Sequence, residues 1–503
     1  MKNAWTCAPH RTLILAAVLP ALFASGGCSV FPVGGFDNDG APQARRTGQY
    51  SAEDVRSASD LASLKVSWDV DWKCRDAYRI VLGAVKSHPS NDCPRTDDRF
   101  VGIALSGGGS RAAVFSAAVL FELQRYGILQ QADVISSVSG GSYTAALYAL
   151  SCDDRQNCPV TVEGPDRTLW AEDEVYPKLQ KEFVWRWFGN WFWPSNILRY
   201  WLTDYNRSQI MADTLDANLY DNSTLGHEGF RFHDLNPQRP HLIINATDFT
   251  DHLQAPDDSS PFLAGFPGSC RKARFFTFTR ETFAELGSDL DQYRIADAVV
   301  ASSAFPAVFN YVTLRNFSRD KYVHLLDAGP FDNLGLASLQ CALDNANQAA
   351  KKPGRKFFLL VDASVSPRGK SPDRAATRSG LDHFVDLNVL DAVDILFEGQ
   401  HRNSIEDAGD AATLISIDFE GLREDPDAAD LYGIVNAIAT NLSIQDYQAD
   451  CLKRAAVILV GQAARSTALK QLIPPGNAYV PDVSKVPRCV KPPKPDSGST
   501  PAM

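Results

Sequence analysis

In the stretch "SSVSGGSYTAALYAL" (residues 136–150), Ser139 follows an apolar run ending at Val138 and precedes Gly140 and Gly141, which open a small-residue helical segment. A strand, a serine and a glycine-led helix in that order make the layout of a nucleophile elbow, where a sharp turn lifts one hydroxyl out of a sheet. The glycines suit strained torsions and close backbone approach. The helix N-terminus behind them favours negative charge developing at the serine oxygen. The pattern departs from G-x-S-x-G because Ser137 takes the first glycine position, and an ordinary serine-rich turn reads the same way.

A second stretch, "GIALSGGGSRAAVF" (102–115), puts Gly107, Gly108 and Gly109 between a strand and a helix, where free N–H groups can converge on an anion. A phosphate-binding loop needs a G-K-[ST] ending, which is absent, and no clear G-x-G-x-x-G with a later ribose-binding acid is present either. An oxyanion hole needs only backbone donors held about 3 Å from the developing charge. Arg111 admits three roles: steadying this loop, attracting a head-group phosphate, or lying on the surface. The third stretch, "LLDAGPFDNLGL" (325–336), ends an apolar strand at Asp327 and enters a glycine-containing loop. Its carboxylate is expected at the same sheet edge as Ser139. A turn-forming or capping aspartate is the alternative, and the leading reading for Asp332 and Asn333.

A serine paired with an aspartate must work without imidazole. A carboxyl near its ordinary pKa of about 3.9 is a weak base for an alcohol, so desolvation and a close hydrogen bond must raise its proton affinity. Among nine histidines, His241, His324 and His383 lie in or near expected elements and keep a conventional triad open. No H-E-x-x-H, paired C-x-x-C or EF-hand pattern appears, so neither a metal nor a cofactor is expected.

These stretches need a scaffold. Apolar runs suited to strands occur at 100–106, 133–139, 241–248, 322–328, 356–364 and 412–419, separated by helical patterns such as 111–127 and 432–465. Strands apolar on both faces and alternating with helices predict an α/β fold with a mainly parallel central sheet between helical layers. The segment "EFVWRWFGNWFWPSNILRYWLTDY" (182–205) holds five of the nine tryptophans. Its interruptions exclude a spanning helix; an interfacial lid or acyl-chain wall, or simple packing under an insertion, both fit.

The 503-residue chain carries a net charge of -11, which argues against a nucleic-acid partner and against electrostatic attraction of the molecule as a whole to anionic lipid. Arg11, the apolar run Thr12–Ala24 and the small residues "SGGC" have the three-part form of a secretory signal, too short to span a bilayer comfortably. "SGGC" is similar to the lipobox of bacterial lipoproteins, with Ser25 where an aliphatic residue is usual, and implies lipidation at Cys28; an ordinary cleaved signal is the alternative. Setting aside Cys7 and Cys28 leaves Cys74, Cys93, Cys152, Cys158, Cys270, Cys341, Cys451 and Cys489, an even set that fits an oxidising compartment. The expected organisation is a signal (1–27), a tether and extension (28–98), a hydrolase domain (99–480) and a proline-rich tail (481–503), whose polar residues offer no core to join.

Taken together, "GGGSR", "SVSGGS" and "DAGPFDN", with "IINATD" and "ASSAFPAVF" in support, resemble the patatin-like phospholipases, in family order across roughly 99–365. The resemblance implies a three-layer α/β/α fold, Ser139 as nucleophile, Asp327 as its base and Gly107, Gly108 and Gly109 as oxyanion donors. Ser137, Ala112 and Ala328 stand where the family carries glycine. The implied activity is phospholipase A or lysophospholipase hydrolysis of a lipid ester, by a protein exported to the bacterial envelope and held at a membrane by its lipid anchor, with the aromatic segment a further candidate contact. A lipid-binding scaffold without turnover and an acyltransferase are the alternatives.

Overall fold

A computed structural model describes residues 98–156, 167–203, 205–220, 229–250, 275–306, 308–317, 321–348, 353–365, 402–425 and 428–490. The expected signal, Cys28, the tether up to residue 97, Cys74, Cys93, Cys158, Cys270, His383 and the tail beyond residue 490 lie outside the described residues.

The strands are β1 (Arg99–Leu105), β2 (Val134–Ser137), β3 (His241–Asp248), β4 (Phe275–Phe278), β5 (Val312–Asn316), β6 (Lys321–Leu326), β7 (Arg355–Asp362) and β8 (Thr413–Asp418). They form one sheet in the order β5-β6-β3-β2-β1-β7-β8, with β4 also paired to β3. The run β3-β2-β1-β7-β8 is parallel. On the β3 side, β4 and β6 pair antiparallel with β3, and β5 pairs antiparallel with β6.

Alternation along the central strands explains the layers. Val101, Ile103 and Leu105 of β1 join Phe357, Leu359 and Val361 of β7 in one core, while Phe100, Ala104, Phe358 and Leu360 join a second core on the opposite face. Both faces are covered, so these strands read as unbroken apolar runs.

The helices that position the site are α1 (Gly109–Arg125), α2 (Gly140–Leu150), α3 (Phe183–Trp191), α4 (Pro194–Leu202), α5 (Arg207–Leu215), α6 (Ile295–Ser302), α7 (Leu336–Gln348) and α8 (Asp446–Ala463). The first core takes its helical side from α1, α2, α6 and α8. The second takes Leu336, Leu339 and Leu343 from α7. Gly102 permits that approach: a Cβ there would stand 3.0 Å from the Leu339 side chain.

Two expectations need correction. The helical pattern over 432–465 is not one helix, for a segment ends at Val435 and α8 begins at Asp446. The intervening loop turns its carbonyls toward α1, where Asn441 O accepts from Ser110 N–H at 2.7 Å and Ile438 O from Arg111. The tail is also not free of the core up to residue 490. Cys489 is disulfide-bonded to Cys451 of α8, whose side chain is buried. Cys152 and Cys341 are in disulfides as well.

Candidate active site

Parallel strands deliver their following loops to one edge of the sheet. Leu105 and Ser137 are paired residues of β1 and β2, so the glycine loop and the serine turn leave the sheet side by side. They touch through backbone: a Cβ on Gly140 would stand 2.0 Å from Gly109 O, and one on Gly141 2.6 Å from Leu105 O. Only residues without side chains allow this contact. Ser139, between them, has φ 47° and ψ -119°, and is the one non-glycine residue with positive φ among the described residues. Such torsions persist only where the surroundings hold them. Here the Ser139 N–H donates to Ser302 Oγ at 2.9 Å, and Ser302 Oγ meets Ser142 Oγ at 3.0 Å.

Asp327 arrives from the antiparallel side. β6 overlaps β3 only through Leu326↔Thr247 and Leu325↔Asp248, so it ends level with the edge where β2 ends. The Ser139 hydroxyl donates to Asp327 Oδ2 at 3.0 Å, and the Gly329 N–H donates to Oδ1 at 2.8 Å. Burial pushes the Asp327 carboxyl up to about 6, against the opposing pull of those two hydrogen bonds.

The glycine loop corrects the expected donor set. The Gly107 N–H is committed to Asn333 O at 3.0 Å, so it is not free to receive an oxyanion. The N–H groups of Gly108 and Gly109 have no protein acceptor among the described residues, and the same holds for Gly140, the residue after the serine. Gly109 has φ 60°, and a Cβ there would lie 2.2 Å from Asn441 O.

Arg111 is buried, which excludes the surface reading. Its Nε donates to Ala363 O at 2.8 Å and Nη1 to Ile438 O at 2.5 Å. It therefore ties α1 to the loops after β7 and before α8.

Ser139, Asp327 and the glycines open on a cavity of about 600 Å³. Tyr143, Phe305, Val308, Phe309 and Leu442 supply apolar lining, while Arg402 and Asp418 stand among its polar residues. The size suits a small amphiphile or one chain of a larger one. An apolar wall beside a hydroxyl–carboxyl pair and aimed amides is equipped for attack on an ester carbonyl.

Residues 103–339 match the family model described as Patatin-like phospholipase. This segment is a patatin-like phospholipase domain. Among solved structures, human GIVD cytosolic phospholipase A2 is similar at 14% identity and a TM-score of 0.41, covering 83% of this chain and 64% of that one. This chain thus spans 64% of that relative's length. VipD from Legionella pneumophila is similar at 11% identity and a TM-score of 0.23, covering 73% and 84% respectively. No curated protein matches the chain.

Within the patatin-like domain, the three positions that replace glycine are each accommodated. Ser137 donates to Ile243 O at 3.3 Å and accepts from Ser142 at 3.1 Å, so its hydroxyl belongs to the support under the elbow. Ala328 has φ -72°, which needs no glycine. Ala112 is buried in the first turn of α1. Asp332 caps α7, accepting from Leu334, Gly335 and Ala337 N–H groups.

No histidine lines the cavity among the described residues. His241 starts β3 at the far end of the strand, and burial pushes it down to about 4. His324 Nδ1 pairs with Thr313 at 3.0 Å.

The sequence points to no task for Ser302, Asn245 or Asn441, and to no more than a turn or cap for Asn333, whose carbonyl instead holds the Gly107 N–H. Asn245 Nδ2 donates to Ser136 Oγ and to Ser137 O, both at 2.9 Å, clamping the strand beneath the elbow. Ser302 and Asn245 lie inside the two supporting motifs, which gave a signal of place without one of role. Asn441 gave none, since its backbone carbonyl does the work.

Proposed function

We propose that the chain is a lipid acyl hydrolase of the phospholipase A or lysophospholipase kind, using a Ser139–Asp327 dyad and an acyl-enzyme intermediate. The observation that carries this reading is the 3.0 Å hydrogen bond from Ser139 Oγ to a buried carboxyl raised toward neutrality, at the mouth of a partly apolar cavity. Asp327 accepts the hydroxyl proton as Ser139 Oγ attacks the ester carbonyl. The amides of Gly108, Gly109 and Gly140 receive the oxyanion of the tetrahedral intermediate. Collapse breaks the ester C–O bond, and the proton on Asp327 passes to the leaving alcohol. Water then attacks the acyl-serine, again giving its proton to Asp327, and the fatty acid leaves as Ser139 regains its hydrogen.

Export to a bacterial envelope with a lipid on Cys28 completes the reading. It rests on the "SGGC" sequence, the even cysteine set and the described disulfides. The test is ester hydrolysis together with labelling by a fluorophosphonate serine probe. Wild type is expected to label and turn over, and Ser139→Ala to lose both, with turnover falling by on the order of a thousandfold or more. Full activity in Ser139→Ala would overturn the assignment. An unlabelled wild type that still binds lipid would leave the scaffold reading instead.

A further inference from the structure

Helices α3 and α4 form a hairpin with two unlike faces. On the inner face Phe183 and Trp187 are buried. The Trp187 indole N–H donates to Arg207 O at 3.1 Å, and Asn190 Nδ2 donates to Ile210 O at 3.3 Å and Thr214 Oγ1 at 3.1 Å, which fastens the hairpin to α5. On the outer face Trp185 is 74% exposed, Phe192 66% and Trp193 64%, with Phe188, Leu198 and Leu202 exposed beside them. A lone exposed apolar residue is ordinary; a cluster of rings and leucines on one hairpin marks an interaction surface.

Charge and position say what the surface meets. Between Phe183 and Leu202 the only charged residues are Arg186 and Arg199, both exposed, in a chain of net charge -11. A second copy seated by two-fold symmetry would set these arginines against their own equivalents, with no acid on the hairpin to answer them. A bilayer surface offers phosphates to the arginines and the headgroup boundary to the indoles. The inner face of the hairpin, behind the patch, adjoins the cavity described above. The Trp187 ring lies 5.3 Å from that of Phe309, which lines the cavity with the exposed Val308.

We propose that the outer face of the α3–α4 hairpin docks the protein on a lipid bilayer bearing anionic phosphate, with Trp185, Phe192 and Trp193 entering the headgroup boundary and Phe309 marking the entry of lipid into the cavity. The route into the cavity rests on the hydrolase reading; docking itself does not. It is tested on the full chain carrying Ser139→Ala, with and without Trp185→Ser, Phe192→Ser and Trp193→Ser. Every protein has the same N-terminus, so any anchor contributes equally.

Partition onto phosphatidylcholine–phosphatidylglycerol vesicles is expected to fall roughly tenfold or more in the triple variant, with loss of tryptophan quenching by brominated lipid. Arg186→Glu with Arg199→Glu is expected to weaken binding to these vesicles and not to pure phosphatidylcholine. With Ser139 restored, the triple variant is expected to lose hydrolysis of vesicle lipid in parallel, while turnover of a soluble short-chain ester stays within about twofold and shows an intact fold. Unchanged partition and quenching would overturn the proposal. So would a wild-type dimer that the triple variant dissolves with vesicle partition unaltered. If no ester is turned over by any form, the Ser139→Ala binding comparison still decides docking.

Discussion

At the scale of single residues, Asp327 meets opposing demands. Its folded pKa of about 6 lies above the ordinary 3.8 because burial penalises its charge. A carboxyl raised in this way contributes stability that is full below the unfolded pKa and is lost as pH rises through the folded one. The proposed transfer of the Ser139 proton to this carboxyl requires the opposite, ionised form. Wild-type kcat/KM is therefore expected to climb as pH rises through about 6, while Asp327→Asn abolishes turnover. The same substitution is expected to stabilise the fold by about 1–3 kcal/mol near pH 8, and by little near pH 4, in denaturant titrations at the two pH values. Ser302 acts through its neighbours: it accepts the Ser139 N–H, and its backbone carbonyl accepts the Ala328 N–H beside Asp327 at 3.2 Å. Ser302→Ala is expected to cost about 1 kcal/mol of stability by unpairing the Ser139 N–H, and to slow probe labelling of Ser139 about tenfold.

At the scale of elements, the contact between the serine turn and the glycine loop decides the geometry. Gly140→Ala drives a methyl group into Gly109 O, so it is expected to destabilise by about 1–3 kcal/mol and suppress probe labelling on the order of a hundredfold, read by denaturation and labelling kinetics. Much of this level was legible. β3 spans His241–Asp248 as its apolar run predicts, and the other long strands fall within a residue or two of their expected ends. The short β4, "FFTF", and β5, "VTLRN", were not visible, because four or five half-buried residues carry too little periodicity. The position of Asp327 was expected from the rule for parallel strand ends. β6 is antiparallel and reaches the same edge because its overlap with β3 is so short. Which glycine amides are free was beyond the sequence, since that depends on Asn333 turning its carbonyl to Gly107.

For the molecule as a whole, the first core joins β1, β7, α1 and α8, and the disulfide ties the segment around Cys489 to it. Cys451 and Cys489 are 38 residues apart, and both lie away from the residues lining the active-site cavity. Cys489→Ser is expected to lower unfolding free energy by about 3 kcal/mol in urea titrations while leaving ester turnover at room temperature unchanged. The sheet itself is not uniform. β1 sits between two parallel neighbours, paired with β7 along its whole length and with β2 from Gly102 to Leu105, whereas β6 shares two residue pairs with β3 and otherwise leans on β5. Amides of β6 are accordingly expected to exchange with solvent through smaller openings than those of β1, in native-state hydrogen exchange. Ser139 and Asp327 thus ride on pieces that come apart at different costs. On warming, ester turnover is expected to fail while the glycine loop and central strands are still intact, with inactivation running ahead of the melt.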